Sequence, residues 1–192
     1  MKPVTDWEKR YRENETGWDL GGVSTPLKEY FDQLNDKSIK ILIPGCGNAY
    51  EASYLHEKGF KNVFLLDLAP SPLQAFAEKH PDFPKAQLIE DNFFKHEGEY
   101  NLIVEQTFFC AINQKHRAEY AKKTAELLKP KGKLMGLLWS VPLNEDHPPF
   151  GGAKEEYHQY FDPYFNYQVF EEAHNSIPPR AGRELFLLAS KK

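Results

Sequence analysis

Short apolar runs alternate with mixed stretches along most of the chain, and the runs repeatedly end in glycine, proline or a carboxylate. Ile41, Leu42 and Ile43 form the clearest run, as a strand buried on both faces does. Pro44 closes it, because proline cannot donate to a central ladder. Gly45 and Gly47 follow, and they allow positive φ and a close approach to the backbone. The pattern then turns helical through Tyr50, Ala52, Tyr54 and Leu55, with Gly59 as the C-cap. Residues 62–67 predict a second strand with Asp67 at its carboxyl end. Ser71 predicts an N-cap, with Pro72 at the first helical position of a helix that stops before Pro81. Residues 86–91, 100–106 and 133–140 predict strands three to five. Residues 114–128 predict the helix before the fifth, and residues 129–132 a turn. Residues 155–161 predict a short helix, and residues 169–173 and 184–189 the last two strands.

Five alternating β/α units followed by a closing strand pair predict an α/β fold with an open, doubly wound parallel sheet. The closing pair, joined by a loop, should be antiparallel. Its second member is apolar and poor in alternation, which makes it a candidate to insert between other strands. Upstream, Trp7 and Tyr11 are four apart and share a helix face. Thr16-Gly-Trp-Asp19 ends that helix, and Gly21-Gly22 makes a joint. Two readings stand here, a helix packed on the domain edge and a lid over a ligand. Residues 26–34 predict a further helix with Leu27, Tyr30, Phe31 and Leu34 on one side.

Composition narrows the class. A chain of 192 residues is most simply one domain, 1–192, with residues 1–35 as a helical N-terminal lid segment. A net charge of −4 with no dense basic block points away from nucleic acid. No apolar run approaches the roughly 20 residues of a membrane span. Cys46 and Cys110 make neither a disulfide framework nor a zinc set, so no metal is expected and a reducing cytoplasm fits. A monomer acting on a small molecule is the expectation.

The candidate chemistry sits at the strand ends: Gly45, Asp67, Asp91-Asn92, Gln106 and Ser140, where ligands of such sheets bind. Asp67 follows the glycine turn at the spacing of a ribose carboxylate, about twenty residues. A nicotinamide oxidoreductase would share this first unit, although Tyr50 replaces the third fingerprint glycine. A non-catalytic nucleotide-binding protein is the other alternative. Cys46 and Cys110 read as small buried residues, His147 and His174 as loop histidines open to a base role. Arg180 and Arg183 read as contacts for an anionic substrate or as surface ion pairs.

Four stretches carry a resemblance: Trp7 with Thr16-Gly-Trp-Asp19, Ile43-Pro-Gly-Cys-Gly-Asn-Ala-Tyr-Glu51, Thr107-Phe-Phe-Cys-Ala-Ile112, and Ser176-Ile-Pro-Pro-Arg-Ala-Gly-Arg-Glu184. Together they resemble the thiopurine S-methyltransferase superfamily, and more closely its bacterial members and the plant halide/thiol methyltransferases. The resemblance implies a Rossmann-like, seven-stranded class I fold with an antiparallel seventh strand. It also implies methyl transfer from S-adenosylmethionine (SAM), leaving S-adenosylhomocysteine, to a small soft acceptor such as a thiol, hydrosulfide, thiopurine or halide. Trp7, Tyr11 and Trp18 match positions that cover the cofactor, Gly45 and Gly47 its turn, and Asp67 the ribose carboxylate. Asp91 and Asn92 match the pair beside adenine. Gln106 replaces a common tyrosine, after Glu105 in place of an aspartate. Phe108, Phe109 and Phe150 are expected to border the acceptor, with Arg180 as its candidate anion contact. No side chain has a strong claim as general base.

Overall fold

The computed structural model describes residues 5–192. Seven strands form one sheet in the order β3-β2-β1-β4-β5-β7-β6. They are β1 (Ile41–Pro44), β2 (Val63–Asp67), β3 (Leu88–Glu90), β4 (Tyr100–Gln106), β5 (Leu128–Trp139), β6 (Phe165–Glu172) and β7 (Glu184–Lys191). β1 to β5 pair in parallel, and β7 runs antiparallel to both its neighbours, inserted between β5 and β6 as its apolar sequence suggested. The helices are α1 (Trp7–Arg12), α2 (Thr25–Asp32), α3 (Tyr50–Glu57), α4 (Pro70–Lys79), α5 (Arg117–Leu127) and α6 (Lys154–Phe161).

Alternate strand residues feed two cores, one on each face. Leu42, Ile103, Leu134 and Leu138 meet Tyr120 of α5 and Phe161 of α6. Ile41, Ile43, Leu65 and Val104 meet Phe31 of α2, Leu55 of α3 and Phe76 of α4. β2 and β4 lie on opposite sides of β1, so the chain reverses direction across the sheet there. Such a reversal opens a crevice beyond the strands' carboxyl ends.

Three local expectations are corrected. No helix joins β3 to β4, because the nine residues 91–99 fall short of a helical crossover of about a dozen or more. Phe93 fills that space, its ring centroid 5.2 Å from that of Tyr120. Ser71 is not the N-cap of α4: Ala69 takes that place and Pro70 opens the helix. The Ser71 amide and hydroxyl turn instead to the Glu8 carboxylate. The expected turn at residues 129–132 belongs to β5, which starts at Leu128 and absorbs Lys131, at φ 62°, beside a register break at Tyr100/Leu102 of β4. No helix among the described residues is long and apolar enough to cross a membrane.

Candidate active site

The site grows from the β1–α3 turn. Gly45 and Gly47 have φ of 59° and 51°. A Cβ on Gly45 would fall within the Phe108 ring, and one on Gly47 would stand 2.7 Å from Tyr11 Oη. Both positions therefore require glycine, for conformation and for space. Asp67, 6 % exposed at the end of β2, holds the turn shut. Its Oδ2 accepts from the Gly47 amide at 3.0 Å and its Oδ1 from the Ala69 amide at 2.9 Å. Burial raises its pKa, outweighing these amide bonds. Each carboxylate oxygen keeps acceptor capacity for a further donor. Asp67→Ala is expected to weaken SAM binding by about 1.5–3 kcal/mol, the scale of a hydrogen bond to a charged group. Calorimetry with wild-type-like affinity in the variant would remove Asp67 from the site.

A cavity of about 660 Å³ opens beyond the strand ends. Asp67, Leu68, Asp91 and Asn92 line it, with Trp7 and Tyr11. Phe108, Ile112, Trp139, Pro148, Pro149 and Phe150 line it too, Phe108 standing against Gly45 and Phe93. Gly45, Trp18 and Arg180 border it as well. A side pocket of about 50 Å³ continues under Gly45 and Trp18, where Gly47 and Gln106 lie with Asp19, Asn48 and Glu51.

The segment over the cavity is braced at both ends. Trp18 stands edge-on to Trp7 and Tyr11, with centroids at 5.5 and 5.7 Å. The Arg10 guanidinium lies 4.7 Å from the Trp18 ring. α1 buries no residue of its own, and Glu8 ties it to Ser71 of α4. Asp19 accepts from Asn48 Nδ2 and, at 3.2 Å, from the Tyr50 hydroxyl.

One expected acceptor contact is corrected: Phe109 does not line the cavity. Glu105 Oε1 accepts from the amides of Phe108 and Phe109, each at 2.8 Å, and starts a 3₁₀ turn that sends the two rings opposite ways. Phe108 faces the glycine turn; Phe109, 2 % exposed, packs among Tyr120, Tyr157 and Phe161. Arg180 lines the cavity, and two of its guanidinium donors are engaged by the protein. Nη1 donates to Glu184 at 3.1 Å and Nη2 to the Trp18 carbonyl at 3.0 Å, with the group 5.1 Å from the Trp139 ring. Arg180 thereby braces Trp18 as well as lining the cavity.

Sequence reasoning passed over Asp19, Glu51 and Trp139. Asp19 lay in plain view inside the Thr-Gly-Trp-Asp stretch. Trp139 is the last residue of β5, next to the Ser140 that was chosen. Glu51 closes the Ile43-to-Glu51 stretch, and nothing local in the sequence marks it as buried.

The arrangement fits SAM on its own evidence of need. The glycine turn leaves its backbone open to a ligand, and Asp67 offers acceptors at the second strand end. Gln106 Oε1 is buried without a hydrogen-bond partner in the protein. A polar atom left so costs about 1–3 kcal/mol unless a ligand donor meets it.

Comparison with known proteins agrees. The family model described as thiopurine S-methyltransferase matches residues 3–186. Thiocyanate methyltransferase 1 of Brassica oleracea is 30 % identical over 184 residues, covering 93 % of this chain and 81 % of that protein. A thiopurine S-methyltransferase of Vibrio campbellii is 24 % identical over 217 residues, covering all of both. Among solved structures, a Burkholderia thailandensis 1,6-didemethyltoxoflavin-N1-methyltransferase with bound S-adenosylhomocysteine superposes with a TM-score of 0.77 at 14 % identity, covering 97 % of this chain and 85 % of that one. A TehB-like SAM-dependent methyltransferase from Corynebacterium glutamicum gives a TM-score of 0.70 at 18 % identity, covering 97 % of each. These matches support neither the nicotinamide nor the non-catalytic alternative. The chain belongs to the thiopurine S-methyltransferase family of SAM-dependent methyltransferases.

Proposed function

We propose that this enzyme methylates small, soft nucleophiles (thiols, hydrosulfide, thiopurines or halides) by direct in-line displacement, in a chamber closed by residues 5–35. When bound, SAM supplies a sulfonium-activated methyl group, so the demanding chemistry is the cofactor's. The chain's task is alignment and exclusion of water. Trp7, Tyr11 and Trp18 roof the Asp67 end, where Asp91 and Asn92 are the proposed adenine contacts. Asn92 spends its Oδ1 on the Phe94 amide at 2.9 Å, which leaves its amide nitrogen for a ligand. Phe108, Ile112, Trp139 and Phe150 give the lining its apolar part, and aromatic faces favour a neighbouring cation.

The observation that carries the acceptor class is the apolar, aromatic lining of the cavity, in which His116 is the single imidazole among the described residues. Cys110 reaches the cavity, but burial pushes its thiol up to about 12, and Sγ faces the Thr107 carbonyl at 3.2 Å. His147 is 61 % exposed at its side chain and sits by the Pro148 carbonyl, outside the cavity lining. An alcohol or amine would need a positioned base. A thiol already contributes a few per cent of thiolate near neutral pH, and a halide needs none. The relatives named for thiocyanate, thiol and thiopurine methylation point the same way. A cytoplasmic monomer that uses neither metal nor nucleic acid completes the reading, on the buried free cysteines and the acidic net charge.

The rate with thiols is expected to rise with pH along each acceptor's own ionisation. Measuring kcat/KM against pH for two thiols of different pKa checks this. A midpoint shared by both would mean a protein base. His116 would then be the first residue to replace, because it lines the cavity with Nδ1 3.2 Å from Glu119.

A further inference from the structure

The side pocket under Trp18 holds a carboxylate that the fold itself does not use. Glu51 is 6 % exposed and lines the pocket. Among the described residues its side chain makes no ion pair, and its bond is to its own amide. Its place in the first turn of α3 would explain an exposed acid, but not a buried one. Two further acceptors share the 50 Å³ space: Asp19, held by Asn48 and Tyr50, and the partnerless Gln106 Oε1. The nearest cation is Arg180, and Glu184 already neutralises it. Three acceptors without a free cation make a site for a small cationic donor. The pocket shares Trp18, Asp19, Gly45 and Thr107 with the cavity, and Asp67 is not in its lining.

We propose that Glu51, with Asp19 and Gln106 Oε1, receives the α-ammonium group at the amino-acid end of SAM, and that Glu51 binds the cofactor rather than supporting the fold. The inference rests on SAM use alone and is independent of the acceptor. It carries a proton balance. Without a cation, burial pushes the Glu51 carboxyl up to about 7, opposed by the bond from its own amide, with Asp19 raising it and Arg180 lowering it to a lesser degree. Cys46 in the turn and Tyr50 on the same helix are the other titratable groups beside it, and both stay protonated because burial raises their pKa values. Pairing with an ammonium ionises Glu51, and its proton leaves to solvent.

Calorimetry of the full chain tests this with S-adenosylhomocysteine and with 5′-methylthioadenosine, which lacks the amino-acid end. Wild-type affinity for S-adenosylhomocysteine should rise on the order of tenfold from pH 6 to pH 8, with proton release seen as a buffer-dependent heat. Methylthioadenosine affinity should stay flat. Glu51→Gln keeps the volume and should weaken S-adenosylhomocysteine by about 10–100-fold, remove its pH dependence and leave methylthioadenosine unchanged. Equal losses for both ligands would mean that Glu51 acts through the fold. Wild-type affinity in the variant, with the pH slope intact, would place the ammonium elsewhere. Either result overturns the proposal, whatever the acceptor panel shows.

Discussion

Replacing Arg117 by alanine is expected to cost about 3–5 kcal/mol of stability, the range for removing one partner of a buried ion pair. Arg117 is fully buried at the start of α5. Nη1 donates to Glu156 of α6 at 2.7 Å, and Nη2 to the Gly151 carbonyl at 2.8 Å and the Phe150 carbonyl at 3.4 Å. The guanidinium also lies 4.8 Å from the Phe109 ring. One side chain thus fastens α6 and the proline loop to α5. Alanine leaves two loop carbonyls and a carboxylate without their donor, and opens a void beside Phe109. Lysine should not rescue it, because a single ammonium cannot span the same fork of acceptors. Phe150 borders the cavity, so the KM for the acceptor should rise while SAM affinity changes little. Urea unfolding and steady-state kinetics check both parts. A loss under about 1 kcal/mol would show that the loop is held by its own backbone bonds, such as Phe150 N–H to Cys110 C=O.

Glu105 is the second such post, and here pH enters. It is 1 % exposed; Oε1 accepts two amides and Oε2 accepts the Tyr120 hydroxyl at 2.6 Å. Glu105→Ala strands these three buried donors and should cost about 3–5 kcal/mol. Burial pushes the carboxyl from 4.5 up to about 7, outweighing the three bonds. A folded value above the unfolded one means that its contribution is full below about pH 4.5 and is lost as the pH climbs through 7. Glu105→Gln keeps the carbonyl acceptor and offers an amide to the Tyr120 oxygen, whose proton can turn to Thr124 Oγ1, now partnerless. The glutamine variant should match wild type near pH 5 and exceed it at pH 8 by on the order of 1–3 kcal/mol. Identical pH slopes for the two proteins would show that Glu105 does not titrate in this range.

These two posts also mark where sequence reading stops. β1, β2 and β4 were legible because each is an apolar run with a glycine, proline or carboxylate at its end. The ligand crevice followed from that pattern and from the chain reversal it implies. Phe108 and Phe109 were not separable, since identical adjacent rings differ only through the amides that Glu105 holds. Ser71 has every mark of an N-cap, yet Asp67 draws the Ala69 amide and turns the chain early. Arg117 and Glu51 carry no local mark of burial, which comes from the packing of distant segments over them. Arg180 reads as an anionic-substrate contact or a surface ion pair; its pair with Glu184 is buried, and its other partner, Trp18, is 162 residues away in sequence.

The insertion of β7 bears on the order in which the protein can be assembled. Among the described residues β6 is bonded to no strand but β7, which follows it in the chain. During synthesis residues 165–172 leave the ribosome with no ladder to join, while one edge of β5 stands open. Both stay unpaired until residues 184–191 arrive and slot between them as a keystone. Such open edges are what nascent chains pair wrongly with one another, so this fold depends on β7 arriving promptly after β6.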